Sequence, residues 1–87
     1  MNNVTEALEL AMQFERLQCY KKAISCLNLA IHFLTIIKSK RLNATILQLC
    51  DAKILECVQR RRQLQQLNDR IVLKKYVLLD TNIVTLH

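Results

Sequence analysis

The chain contains no glycine and no proline in 87 residues. Average usage of about 7% and 5% would place roughly ten of them in a chain of this length. Hairpins and tight turns therefore lose their usual punctuation, which excludes a strand-rich or α/β architecture and leaves a few long helices. Tryptophan is absent too, and two Tyr and two Phe leave few rings for stacking on bases. The longest near-continuous apolar stretch, Leu29 to Ile37, is interrupted by His32 and Thr35. It falls short of the about 20 residues that a bilayer span needs. Met1-Asn2-Asn3 carries no basic n-region and no apolar h-region follows, so no secretory signal is expected. The triplets Asn3-Val4-Thr5 and Asn43-Ala44-Thr45 accordingly read as helix starts rather than glycosylation acceptors.

Chemistry is sparse as well. There is no Gly-rich phosphate loop and no C-x-x-C, and the histidines are His32 and the terminal His87. No Ser or Cys has an evident base partner in sequence, so catalysis is not expected, and no cofactor or metal is assigned. Cys19 and Cys26 are seven residues apart, as are Cys50 and Cys57. On a helix that spacing separates the thiols by about 10.5 Å, too far for a bridge or a shared zinc within one helix. The favoured reading is four small hydrophobes in a reducing compartment. A zinc site assembled across helices with His32 is the alternative.

What is present is apolar periodicity. Fifty-two per cent of the residues are hydrophobic, generous for one small domain. Val4, Ala7, Leu8, Ala11 and Phe14 form a stripe that predicts a first helix from about Val4 to Leu17, capped by Asn3 with Glu6 in a capping-box arrangement. A second helix is expected over Tyr20 to Ser39, ending in Lys38, Lys40 and Arg41 against the negative pole of its dipole. A third begins at Asn43, a plausible N-cap, and reaches at least Asn68. On helix 2 the polar residues Lys21, Ser25, Asn28, His32, Thr35 and Ser39 fall on one narrow strip. Ala23, Ile24, Leu27, Ala30, Ile31 and Leu34 suffice to bury that helix, and Leu29, Phe33 and Ile36 form an extra apolar flank. Either helix 2 is covered on both sides or the flank receives a partner.

These features share a spacing: Ala11-x3-Glu15-x4-Tyr20-x2-Ala23-Ile24-x5-Ala30-Ile31-x2-Leu34, followed by Ala52-Lys53, Glu56, Val58, Arg60 and Leu64. Small residues admit close helix approach and large ones fill the space between, as in an antiparallel helical hairpin. The pattern resembles the MIT (microtubule interacting and trafficking) domain, over about residues 4 to 68. Tetratricopeptide hairpins share its first half. The resemblance implies an all-α antiparallel three-helix bundle over residues 3–70, with residues 71–87 as an apolar C-terminal extension. It implies a non-catalytic module that binds short helical or extended motifs of ESCRT-III-like proteins and recruits its parent protein from the cytoplasm to endosomal membranes. One motif class lies between helices 2 and 3, another between helices 1 and 3. For the first class the resemblance assigns Val58 as an apolar contact and places Gln59 and Arg62 where the family has acids. With the flank, the partner-binding set is Leu29, Phe33, Ile36, Val58, Gln59 and Arg62. Arg62 repels a basic motif, so an acidic or mainly apolar motif fits better. Tyr20-x-x-Ala23-Ile24-Ser25-Cys26 is also similar to an autophagy branch of the family, the module of a phosphatidylinositol 3-kinase complex subunit.

Charge supplies the contrasting hypothesis. The net charge is +6, and it is uneven. Residues 18 to 41 hold five bases and no acid, and Arg60-Arg61-Arg62 follow on helix 3. A small basic binder of nucleic acid or of a membrane surface is the reading from a different class. Nucleic acid is disfavoured, since no reading motif appears and three consecutive Arg spread around a helix. The extension, with Ile71-Val72-Leu73, Tyr76-Val77-Leu78-Leu79 and Ile83-Val84, is too apolar for a solvated linker. It is expected to prolong helix 3, fraying after Asp80 where β-branched residues gather, and to pack locally. The alternatives are folding back over the Leu29-Phe33-Ile36 flank and pairing with another chain. A monomer or weak homodimer follows.

Overall fold

The computed structural model describes residues 2–40 and 43–85, with the side chains of residues 3–40 and 43–75. Three helices account for nearly all of it: α1 (Asn2–Arg16), α2 (Tyr20–Ser39) and α3 (Ala44–Thr85). They run antiparallel, α1 against α2 and α2 against α3, with no close backbone approach between α1 and α3 among the described residues. The expected all-α three-helix bundle is what forms, and α3 is much the longest helix.

The turns follow from local chemistry. At the end of α1 the Cys19 N–H donates to the Phe14 carbonyl (2.8 Å) and the Gln18 N–H to that of Glu15 (3.0 Å). This is the Schellman pair, and it requires a left-handed residue at Gln18, whose φ is 59°. Glutamine stands there without the freedom of glycine. At the start of α3 the Asn43 side-chain carbonyl accepts the Ile46 N–H at 2.9 Å, so Asn43 is the N-cap the sequence suggests. Asn3 differs: α1 already includes it, so it is not the residue preceding the helix.

The core is built on small residues. Val4, Ala7 and Ala11 from α1, Ala23, Leu27, Ala30 and Leu34 from α2, and Cys50, Cys57 and Leu64 from α3 are buried. On α2 the spacing 23-27-30-34 alternates four and three, a heptad seam. The Ala positions draw the helices close while Leu34 and Leu64 fill the interior. The polar strip of α2 is exposed. Its hydroxyls turn inward on their own helix: Ser25 donates to the Lys21 carbonyl and Thr35 to that of Ile31.

The extension departs from expectation twice. The helix does not stop near Asp80 but runs to Thr85. The propensity penalty of β-branched residues is only a few tenths of a kcal/mol each, too small to halt an established helix. Nor do residues 71–75 pack locally: all are exposed. The reason is length. At about 1.5 Å per residue, α1 and α2 are roughly 22 and 30 Å long and α3 roughly 63 Å. The molecule accordingly extends 66 × 18 × 15 Å, and α3 outruns its cover just past Leu67 and Asn68, the last half-buried positions described.

Candidate functional site

Two open grooves flank α3, and the arginine triplet is divided between them. Arg60 points to α1. Its guanidinium meets the Glu15 carboxylate in a fork, Nε to Oε2 and Nη2 to Oε1, and its Nη1 donates to Gln63 at 2.7 Å. Arg61 points to α2, where Nη1 donates to Asn28 Oδ1 at 2.7 Å. Arg62 is exposed and lines the groove on that same side. Three consecutive residues on a helix are turned about 100° apart, so the basic run serves both faces of α3 rather than forming one patch.

The α2–α3 groove has a volume of about 450 Å³ and is lined by Ile24, Asn28, Val58, Arg61, Arg62, Gln65 and Gln66. Ile24 and Val58 are half-buried and supply an apolar floor. The rest of the lining is amide and guanidinium, with no carboxylate among it. The groove therefore offers donors and positive charge around a narrow apolar strip. Farther along the same helix pair, Lys38 and Asp51 form an ion pair.

The α1–α3 groove is smaller, about 220 Å³, and more apolar. Leu8, Ala11 and Met12 of α1, Leu27 of α2 and Cys57 of α3 line it, with Glu15, Lys53, Glu56 and Arg60 along its rim. Lys53 and Glu56 pair at 3.0 Å. Burial pushes the Cys57 thiol above its ordinary pKa; nearby Lys53 pulls it down and Glu56 pushes it up more weakly. Cys57 therefore stays protonated and is a poor nucleophile.

Of the residues singled out from sequence, Val58 and Arg62 lie in the α2–α3 groove. Gln59 is exposed and does not line it. Leu29 and Ile36 are 46% and 41% exposed, and Phe33 is half-buried against the core. Lys22, Cys26, Leu29, Phe33 and Ile36 follow one stripe of α2 at spacings of four and three, and Lys22 lies over the Phe14 ring of α1 at 5.7 Å. That stripe thus faces the α1 side. The stripe on the α3 side is Ile24, Asn28, Ile31, Thr35 and Lys38, anchored by the Asn28–Arg61 and Lys38–Asp51 contacts. The structure brings Val58 and Arg62 together with Ile24 and Asn28, not with Leu29, Phe33 and Ile36. Ile24 already stood in the recurring pattern, and the adjoining Asn28 on the polar strip was the available signal.

The cysteines split. Cys50 and Cys57 are core residues, while Cys19 and Cys26 are half-buried and all four thiols are free. His32 is exposed beside Phe33, and no cluster of three or more His, Cys, Asp or Glu able to hold a metal occurs among the described residues. The zinc alternative has no set of ligands there. No helix, among the described residues, is long and apolar enough to cross a membrane.

Comparison with protein-family models, with curated proteins and with solved structures finds no match. The fold is thus an all-α three-helix bundle, and its functional reading rests on its own grooves.

Proposed function

We propose that this chain is a non-catalytic protein-interaction module of MIT type, which takes a short helical motif of a membrane-trafficking protein into the α2–α3 groove. The observation that carries the reading is the groove itself: Ile24 and Val58 at its base, Arg61, Arg62, Asn28, Gln65 and Gln66 around them. An amphipathic helix lays apolar anchors into such a floor. The guanidinium of Arg62, which pairs with no acid among the described residues, selects a carboxylate beside those anchors. The motif is therefore apolar with an acidic flank, from an ESCRT-III-like protein or from an autophagy kinase complex. Binding would recruit the parent protein from the cytoplasm to endosomal or autophagic membranes.

Titration with helical peptides, acidic-flanked and basic-flanked, tests this. The acidic peptide should bind more tightly, Val58→Asp should abolish binding, and Arg62→Glu should reverse the preference between the peptides. Equal binding of both peptides by wild type and by Arg62→Glu would overturn the proposal. A small basic binder of nucleic acid or of membrane phosphates is separated by salt, since phosphate contacts weaken steeply as salt rises. A second reading, an extended apolar peptide between α1 and α3, draws on the apolar lining by Leu8, Ala11, Leu27 and Cys57. Chemical-shift changes confined to those residues would favour it.

A further inference from the structure

The part of α3 that projects past the bundle is unexplained by either groove. Within the bundle, Cys50, Cys57 and Leu64 recur every seventh residue and are buried. Beyond Asn68 neither α1 nor α2 reaches, and Ile71, Val72 and Leu73 are 38%, 39% and 64% exposed. An exposed apolar helix of this kind marks an interaction surface.

The sequence of the projecting helix says which surface. Val72, Tyr76, Leu79 and Ile83 follow at spacings of four, three and four, the a/d repeat of a coiled coil with Tyr76 and Ile83 at a and Val72 and Leu79 at d. Neighbouring seams are broken. Ile71, Lys75, Leu78 and Asn82 include a base and an amide, and Leu73, Val77, Asp80 and Val84 include an acid. Upstream, the uninterrupted seam continues through Arg62, Gln65 and Asp69, where Gln65 donates to Asp69 at 3.0 Å. Apolar pairing therefore begins at Val72, past the end of the bundle.

The charges beside that seam choose the partner. In the same frame Lys75 occupies a g position and Asp80 the e position five residues on. In a parallel, in-register pair, g of one helix meets e of the next heptad on the other. Two copies of this chain thus set Lys75 against Asp80 twice, once on each flank. An antiparallel pair sets g against g and e against e and brings no opposite charges together. Ile at a with Leu at d also suits two strands. We propose that residues 72–85 of two copies pair as a parallel, in-register coiled coil, making this stretch of α3 a dimerisation element. It acts independently of what occupies the α2–α3 groove.

About two heptads make a weak coiled coil, so dimerisation is concentration-dependent, with a Kd expected at about 10–100 μM. Sedimentation of the full chain from about 1 to 300 μM, spanning that range, should show the shift from monomer to dimer. Leu79→Lys, on the seam, should abolish it, whereas Leu78→Lys, off the seam, should leave it within about threefold. Lys75→Asp or Asp80→Lys alone should weaken self-association, and an equimolar mixture of the two should form a heterodimer. Helix content by circular dichroism checks that each variant remains folded. A chain monomeric at the highest concentration overturns the proposal. So does equal loss from Leu78→Lys and Leu79→Lys, or a charge-swapped mixture that associates no better than its components.

Discussion

Gln18 shows how a single residue can carry the shape of a turn that its chemistry does not favour. Its φ of 59° is a left-handed conformation that costs a non-glycine residue roughly 1–2 kcal/mol. The two hydrogen bonds that close α1 hold it there. Gln18→Gly should remove that penalty and lose part of the gain to the greater freedom of glycine when unfolded. A net stabilisation of about 0.5–1 kcal/mol by chemical denaturation is expected; a destabilised variant would mean that the Gln18 side chain contributes contacts of its own. Cys57 supplies a pH dependence. Its folded-state pKa lies above the ordinary thiol value because burial disfavours the thiolate. Below the unfolded thiol's pKa, about 8.5, both states are protonated and the stabilising contribution is fully present. As pH rises past it, the unfolded chain ionises first, and stability falls until the folded thiol ionises too. Cys57→Ala should be less stable at neutral pH because it leaves a cavity, yet lose less stability between about pH 8 and 10. Parallel pH profiles for the two proteins would exclude Cys57 as the cause.

At the scale of elements, the ends of α2 were legible at Tyr20 and Ser39, and Asn43 announced α3, because caps and turns are local. Asn43→Ala leaves the Ile46 N–H without its side-chain acceptor and should cost about 1 kcal/mol, read as a lower urea midpoint with an unchanged slope. The core of α2 was legible for a similar reason: Ala23, Leu27, Ala30 and Leu34 stand at heptad spacing, and each is buried. The groove lining was legible only in part. Periodicity tells that Leu29, Phe33 and Ile36 share a stripe. It does not tell which neighbour lies beside that stripe, because left and right around a central helix depend on the hand of the bundle. Contacts fix that hand, Lys22 with Phe14 on one side and Asn28 with Arg61 on the other. Phe33 packs against the core, so a charge at that position would strain the bundle itself rather than the α2–α3 groove. The prolongation of α3 is legible in its apolar spacing, but its reach to Thr85 is not, because the weak propensities of the β-branched residues after Asp80 count for little against the continuation of a helix already formed.

For the whole molecule, the decisive fact is that α3 is about twice as long as the bundle it completes. A chain of 87 residues packed as a sphere-like domain has a radius of gyration near 12 Å, whereas this one has 17.8 Å. The excess is the projecting helix, which divides the protein into a bundle with two grooves and an arm with an apolar seam. The division predicts separable stabilities. The last fully buried side chain described is Leu64, and Leu67 packs partly on the core. Deleting residues 71–87 therefore removes little that the bundle rests on. In dilute solution the shortened chain should melt within a few degrees of the full one, since about 1 kcal/mol moves the midpoint of a domain this size by roughly 4–8 °C. At high concentration the two should diverge: the full chain gains stability by mass action as it dimerises, and the shortened one does not. A midpoint lowered by much more than that in dilute solution would mean that the arm supports the bundle from within the same chain. Equal midpoints at every concentration would mean that it supports neither the bundle nor a dimer.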